Sequence, residues 1–166
     1  KPDTPTLKYK TSTYNSISMY WNSINNTSGY YIYRSTGGAY TKIGNTTGTS
    51  FTNYNLKTGQ KYYYKVVAYK TIYPSDVLSN YSNFIKITPV LKKNSIKLYK
   101  SGSNKIKIKW TKINGASKYR IYRKISGGKW KRIKTVSSKT TSYKNTVIRG
   151  RKYYYKVRAY RTVSGK

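Results

Sequence analysis

The 166-residue chain has no cysteine and no histidine, one methionine, and two acidic residues, Asp3 and Asp76. Each shortage removes a class of chemistry. Without cysteine there are no disulfides and no thiolates; without either residue there is no zinc site built from nitrogen and sulfur, and without imidazole no histidine-dependent triad. Two separated carboxylates supply neither the acid–base pair of glycoside hydrolysis nor the oxygen cage of a hard cation. A serine–lysine nucleophile is compatible with the composition, but no particular pair is marked. The chain is expected to be no enzyme and to hold no metal and no cofactor. No apolar run approaches the ~18 residues that a membrane-spanning helix requires. The opening KPDTPTLKYK does not read as a signal peptide but as a linker entering a first strand, as in a mature or trimmed piece of a longer protein.

What is abundant is lysine, asparagine, isoleucine and above all tyrosine, of which there are 22. An AT-rich genome favours those codons whatever the protein does. It does not explain 35 basic residues against 2 acidic ones, a formal net charge of +33.

One phrase is written twice. KYYYKVVAY runs from Lys61 to Tyr69 and KYYYKVRAY from Lys152 to Tyr160. The rest of the chain repeats in step with it, at offsets of 89 to 92 residues. SISMYW places Ile17, Met19 and Trp21 on one face, and KIKIKW does the same with Ile106, Ile108 and Trp110 while sending Lys105, Lys107 and Lys109 to the other. GYYIYR and KYRIYR follow, pairing Tyr30 with Ile32 and Tyr119 with Ile121; glycine turns come next, at Gly37–Gly38 and Gly127–Gly128. Short strands then begin at Tyr40 and Trp130. Period-two alternation between turn residues, with no helical stripe, predicts an all-β chain of two tandem β-sandwiches, residues 1–89 and 90–166.

The combination of a tryptophan in the second strand, Tyr-x-Ile in the third and Leu-x-x-Gly-x-x-Tyr before a long strand resembles the fibronectin type III domain. The last motif is LKTGQKY in the first unit, with Leu56, Gly59 and Tyr62, and VIRGRKY in the second, with Val147, Gly150 and Tyr153. The wording is most similar to bacterial versions in secreted and surface proteins of Gram-positive bacteria. The resemblance implies an immunoglobulin-like sandwich and a tyrosine corner, whose hydroxyl bonds back to the preceding turn. It also implies a secreted, cell-wall-associated location.

Alternation then divides the repeated phrase. Tyr62, Tyr64, Val66 and Ala68 point inward, as do Tyr153, Tyr155, Val157 and Ala159; Tyr63, Lys65, Val67 and Tyr69, and Tyr154, Lys156, Arg158 and Tyr160, point outward. Trp21 and Trp110 are expected to be buried against the tyrosine corners. After Tyr69 a long loop is expected, then a last strand in Ser82–Val90. The second unit ends six residues past Tyr160 and is expected to lack its last strand, leaving an edge open to strand exchange or to a neighbouring domain.

Charge is unevenly shared. Residues 1–89 hold 10 basic and 2 acidic residues, and residues 90–166 hold 25 basic and none acidic. Codon bias acts on both halves alike, so it does not account for the difference. The candidate polyanion-binding residues are Lys105, Lys107, Lys109, Arg120, Lys129, Trp130, Lys131, Arg132, Lys134, Lys156 and Arg158, with Lys97 on the same face as the first three. A polymer that exchanges condensed counterions for lysine and arginine is the partner such a surface fits. Teichoic acid, an anionic lipid surface and extracellular nucleic acid all qualify. The expected role is therefore a spacer and interaction module in cell adhesion. Three alternatives stand beside it: non-sequence-specific nucleic-acid binding with tyrosines stacking on bases, carbohydrate binding through Trp130 and Tyr160, and a basic spacer with no dedicated ligand.

Overall fold

A computed structural model describes residues 1–163. The chain divides into two compact units, Lys1–Val90 and Leu91–Lys166, one residue beyond the expected boundary. Among the described residues both units are built of strands and turns.

In the first unit, β1 (Leu7–Ser12), β2 (Ile17–Trp21) and β5 (Ser50–Asn53) form one antiparallel sheet in the order β1-β2-β5. The facing sheet holds β4 (Thr41–Thr46), β3 (Gly29–Ser35) and β6 (Tyr62–Ile72) in that order. β6 is closed on its other edge by β7 (Ser75–Leu78) and then β8 (Ile85–Ile87). Here the expected long loop and last strand need correction. β6 turns at Tyr73–Pro74 into β7, and the later strand is only three residues long. Between β7 and β8, serine hydroxyls stand in for the missing ladder: Ala68 N–H donates to Ser79 Oγ and Val66 N–H to Ser82 Oγ, each at 2.9 Å. The amides of the same serines donate back to Ala68 O and Val66 O at 2.8 and 2.9 Å. The Val66 and Ala68 amides of β6 are thereby satisfied where an unpaired buried N–H is costly.

The second unit repeats the plan. β9 (Ile96–Lys100), β10 (Lys105–Trp110) and β13 (Ser142–Thr146) form the order β13-β10-β9; β11 (Lys118–Ile125), β12 (Lys131–Ser137) and β14 (Tyr153–Tyr160) form β12-β11-β14. β14 is the edge of its sheet, with no counterpart of β7 or β8 among the described residues. The consequence is visible in the core. Tyr64 and Val66 are fully buried at 0 % exposure, whereas their equivalents Tyr155 and Val157 are 8 % and 7 % exposed and Ala159 is half-buried. In the first unit Ile85 and Ile87 of β8 pack against that same row.

Alternation explains both cores. Ile17, Met19, Trp21, Tyr30 and Ile32 are buried in one unit, and Ile108, Trp110, Tyr119 and Ile121 in the other. Trp21 and Trp110 are 3 % and 6 % exposed, but their ring partners are Tyr30 at 5.4 Å and Tyr119 at 5.6 Å, not the corner tyrosines as expected. Tyr30 and Tyr119 sit opposite because the third strand faces the second across the sandwich. The corners form locally instead: Lys57 N–H donates to Tyr62 Oη at 2.9 Å and Ile148 N–H to Tyr153 Oη at 3.1 Å. Gly59 and Gly150 take φ values of 84° and 77° in these turns, a region costly for any residue with a Cβ. Leu56 is buried, while Val147 in the less covered second unit is only half-buried.

Candidate polyanion-binding surface

A sandwich has two outward faces, and in the second unit both are cationic. On the β9-β10-β13 face, β10 contributes Lys105, Lys107 and Lys109 from alternate positions. Antiparallel register sets Lys109 directly opposite Lys97, and Lys107 between Tyr99 on one side and Lys144 on the other. Directly opposed residues in such sheets have Cα atoms ~4.5–5.5 Å apart, and like charges placed there repel. Lys109 Nζ lies 5.5 Å from the centre of the Tyr99 ring.

The β12-β11-β14 face mixes cations with rings. Arg120 is opposite Arg158, Tyr122 is opposite both Lys156 and Arg132, and Lys124 is opposite Tyr154. The contacts that hold this layer are cation–π. Arg120 lies 4.3 Å from the Tyr160 centroid; Lys156 lies 4.3 Å from Trp130 and 5.4 Å from Tyr122; Lys124 lies 5.5 Å from Trp130 and 5.1 Å from Tyr154. Each such contact contributes roughly 0.5–1 kcal/mol at an exposed site. The turn beyond β11 carries Lys129 and leads through Trp130 to Lys131 and Arg132, all exposed; Lys134 is exposed beside the point where the β11–β12 register shifts.

The eleven residues singled out in the sequence therefore do not make one patch. Lys105, Lys107 and Lys109 look out from one side of the sandwich, and Arg120, Trp130, Arg132, Lys156 and Arg158 belong to the other. Sequence reasoning passed over Tyr122 and Lys124, although they share the parity of Arg120, and it placed Tyr154 outward without counting it among the binding residues. It also passed over Lys144, whose place opposite Lys107 depends on a register that no single strand displays. As sugar platforms the two proposed aromatics are compromised. Tyr160 is half-buried beneath Arg120, and Trp130, 39 % exposed, already has two lysines over its ring.

The first unit treats the same face differently. Tyr31 and Tyr69 stack at 4.2 Å with 11° between planes, and Lys42 sits 3.9 Å from the Tyr31 centroid. Val67, expected outward and exposed, is 2 % exposed: its cross-strand partner is Tyr31, and the aromatic layer excludes water from it. Asp76 accepts hydrogen bonds from the Tyr31 hydroxyl and from Thr71 Oγ1, the latter at 2.8 Å. Those bonds hold its carboxyl below the usual carboxylate range, and the Tyr31 phenol is pushed up to about 12, mainly by the bond to Asp76. The second unit has Arg120 and Arg158 at the places of Tyr31 and Val67 and no acidic side chain.

No family model and no curated protein matches this sequence. Solved structures do match the fold. A two-domain fibronectin type III segment of chicken tenascin superimposes with a TM-score of 0.57 at 19 % identity, over 98 % of this chain and 93 % of that one. The FN1–FN3 domains of chicken CNTN1 match 97 % of this chain and 62 % of theirs, at 16 % identity and a TM-score of 0.47. A β-1,2-glucanase from Parabacteroides distasonis is similar over 54 % of this chain and 13 % of its own, at 26 % identity and a TM-score of 0.49. The fold is that of two fibronectin type III sandwiches in tandem, the second without its closing strand among the described residues.

Proposed function

We propose that the chain is a non-catalytic spacer and interaction module of a secreted or cell-surface bacterial protein. It adheres to polyanions, cell-wall teichoic acid foremost, mainly through its second unit. One observation carries the reading. Residues 90–166 hold 25 basic residues and no acidic side chain to pair with them, and the described ones surround a small sandwich with like charges opposed in register on both faces. Self-repulsion of this kind destabilises a compact domain. An external polyanion relieves it and gains the entropy of released counterions.

Neutral-glycan binding is the less supported reading, because the aromatic faces that would stack on sugars carry cations instead. Non-specific nucleic-acid binding shares the electrostatics and is separated by the experiment rather than by the geometry.

That experiment is a salt titration of binding to poly(glycerol phosphate), to single-stranded DNA and to anionic vesicles. If roughly 6–8 anionic groups are neutralised, affinity falls by about a thousandfold or more between 50 and 200 mM salt. Teichoic-type polymer binding tighter than DNA at matched charge supports the reading. Binding indifferent to salt leaves only a basic spacer.

A further inference from the structure

A surface cavity of about 200 Å³ opens on the second unit, lined by Ser95, Lys97, Tyr99, Lys109, Trp110 and Thr111. The register explains its composition. Lys97 and Lys109 are opposed across β9 and β10, Tyr99 lies two residues along β9 from Lys97, and Ser95 and Thr111 are the next positions of the same parity. Two lysines, a serine, a threonine and two aromatic residues, Tyr99 and Trp110, thus border a single hollow.

The fold does not require this arrangement. In the first unit the corresponding strands put Lys8 opposite Tyr20, one cation facing a ring. The second unit has exchanged that tyrosine for a second lysine, and nothing acidic in residues 90–166 compensates. An anion from outside with several acceptor oxygens meets both ammonium groups and a hydroxyl at once, as charge-assisted hydrogen bonds favour. Tyr99, 46 % exposed beside them, leaves apolar surface for carbon atoms attached to that anion.

We propose that this cavity is a phosphate-ester subsite, accommodating one phosphorylated polyol or sugar unit. Lys97 and Lys109 clamp the phosphoryl oxygens, Ser95 and Thr111 donate to them, and Tyr99 packs on the adjoining carbons. The proposal deepens the polyanion reading by giving the polymer one defined point of attachment on an otherwise diffuse field.

The test is amide and side-chain NMR on the whole chain, titrated separately with glycerol 3-phosphate, inorganic phosphate and poly(glycerol phosphate). The proposal expects saturable shifts confined to Ser95, Lys97, Tyr99, Lys109 and Thr111. Lys97→Gln with Lys109→Gln should weaken glycerol 3-phosphate about tenfold or more, the effect of losing charged hydrogen bonds. Lys109→Tyr, which copies the first unit, should do nearly the same. A charge-matched control, Lys93→Gln with Lys139→Gln, should leave the shifts in place. Shifts spread over both faces, or lost equally in the control, would overturn the subsite while the polyanion reading stands. Equal affinity for inorganic phosphate would overturn the role of Tyr99 and with it the ester class. If the polymer fails to bind but glycerol 3-phosphate still saturates the cavity, the subsite stands and the adhesion reading falls.

Discussion

Arg123 reaches from one sheet of the second sandwich to the other and donates through Nη1 to Asn145 Oδ1 at 3.1 Å. Tyr155 donates to the same oxygen at 2.9 Å, and the first unit repeats the pair of bonds with Arg34, Asn53 and Tyr64 at 3.1 and 2.9 Å. An arginine in the third strand, an asparagine in the fifth and a tyrosine in the sixth are thus one polar tie across each core. It gives a partner to a phenol that the fold buries.

Removing the shared acceptor leaves the buried Tyr155 phenol without its partner, while Arg123 Nη1 keeps Thr146 O at 3.3 Å. Asn145→Ala should cost about 2 kcal/mol, since a buried phenol left unsatisfied costs about 1–3 kcal/mol. For a domain of this size that lowers Tm by roughly 10–20 °C. Asn53→Ala should act likewise on the first unit. Calorimetry on both variants checks the claim, and melting unchanged from the parent would show that water replaces the asparagine without loss.

These ties show where the sequence was readable and where it was not. Tyr64 and Tyr155 were placed inward by parity alone, and Trp21 and Trp110 by the run of alternating residues around them. Parity says which face a side chain takes and nothing about what stands opposite. The tryptophans therefore met Tyr30 and Tyr119 rather than the corners, and Lys97 met Lys109 without any local signal. The edge between β7 and β8 is hidden for another reason: Ser79 and Ser82 complete it with hydroxyls, so SNYSN looks like loop while it satisfies the β6 ladder. Val67 is covered by aromatic stacking on an outer face, where period-two reasoning assumes water.

The uncovered edge of β14 gives a second prediction. Residues 75–90 close the first sandwich through two serine hydroxyls and the inward Ile85 and Ile87. Grafting that segment after residue 163, with a short linker, should pair it along β14 and cover Tyr155 and Val157. Ile85 and Ile87 are partly buried in the first unit, so each contributes part of the roughly 1.5–3 kcal/mol of full burial before ordering costs, and a net gain of about 1–2 kcal/mol is expected. The second unit should melt several degrees higher, with amide exchange slowed along β14. A graft carrying Ser79→Ala and Ser82→Ala should lose part of that protection, and an unchanged exchange profile would mean that the edge does not accept this strand.

A third prediction concerns pH. Asp76 has a folded pKa below its unfolded value, so its contribution to stability is present above about pH 4 and is lost as pH falls through the folded value. Tyr31 is raised to about 12, so its contribution is complete below about pH 10 and is lost on the way to the folded value. Asp76→Asn removes the titrating carboxyl itself and with it the main cause of the Tyr31 shift. The variant should show a flatter acid limb and a partly flattened alkaline limb in Tm against pH. The remaining alkaline loss belongs to the tyrosines raised by burial, Tyr64, Tyr33, Tyr40 and Tyr155. Phenolate absorbance during alkaline titration should show one tyrosine ionising earlier than in the parent; identical curves would count against the Tyr31–Asp76 bond as the cause.

The last prediction sets stability against binding at a single position. Lys107 lies opposite Lys144, and no acidic side chain is available in residues 90–166 to separate them. Lys107→Glu turns a repulsive cross-strand pair into an attractive one, and such pairs contribute roughly 0.2–1 kcal/mol. The variant should therefore melt a few degrees higher at low salt, with the gain shrinking as salt screens the pair. The same change removes two units of positive charge from the β9-β10-β13 face, so polyanion affinity should fall and its salt slope should flatten by about one to two. Adding Lys109→Glu, Lys131→Glu and Arg132→Glu should extend the loss of binding across all polyanions alike, because no groove-reading or base-reading motif is present. Gain in one property and loss in the other is the signature of charge kept for a partner at the expense of the fold. If the reversed variant is both more stable and equally adhesive, the lysine face is solvated surface and adhesion must be sought on the Arg120–Trp130 side.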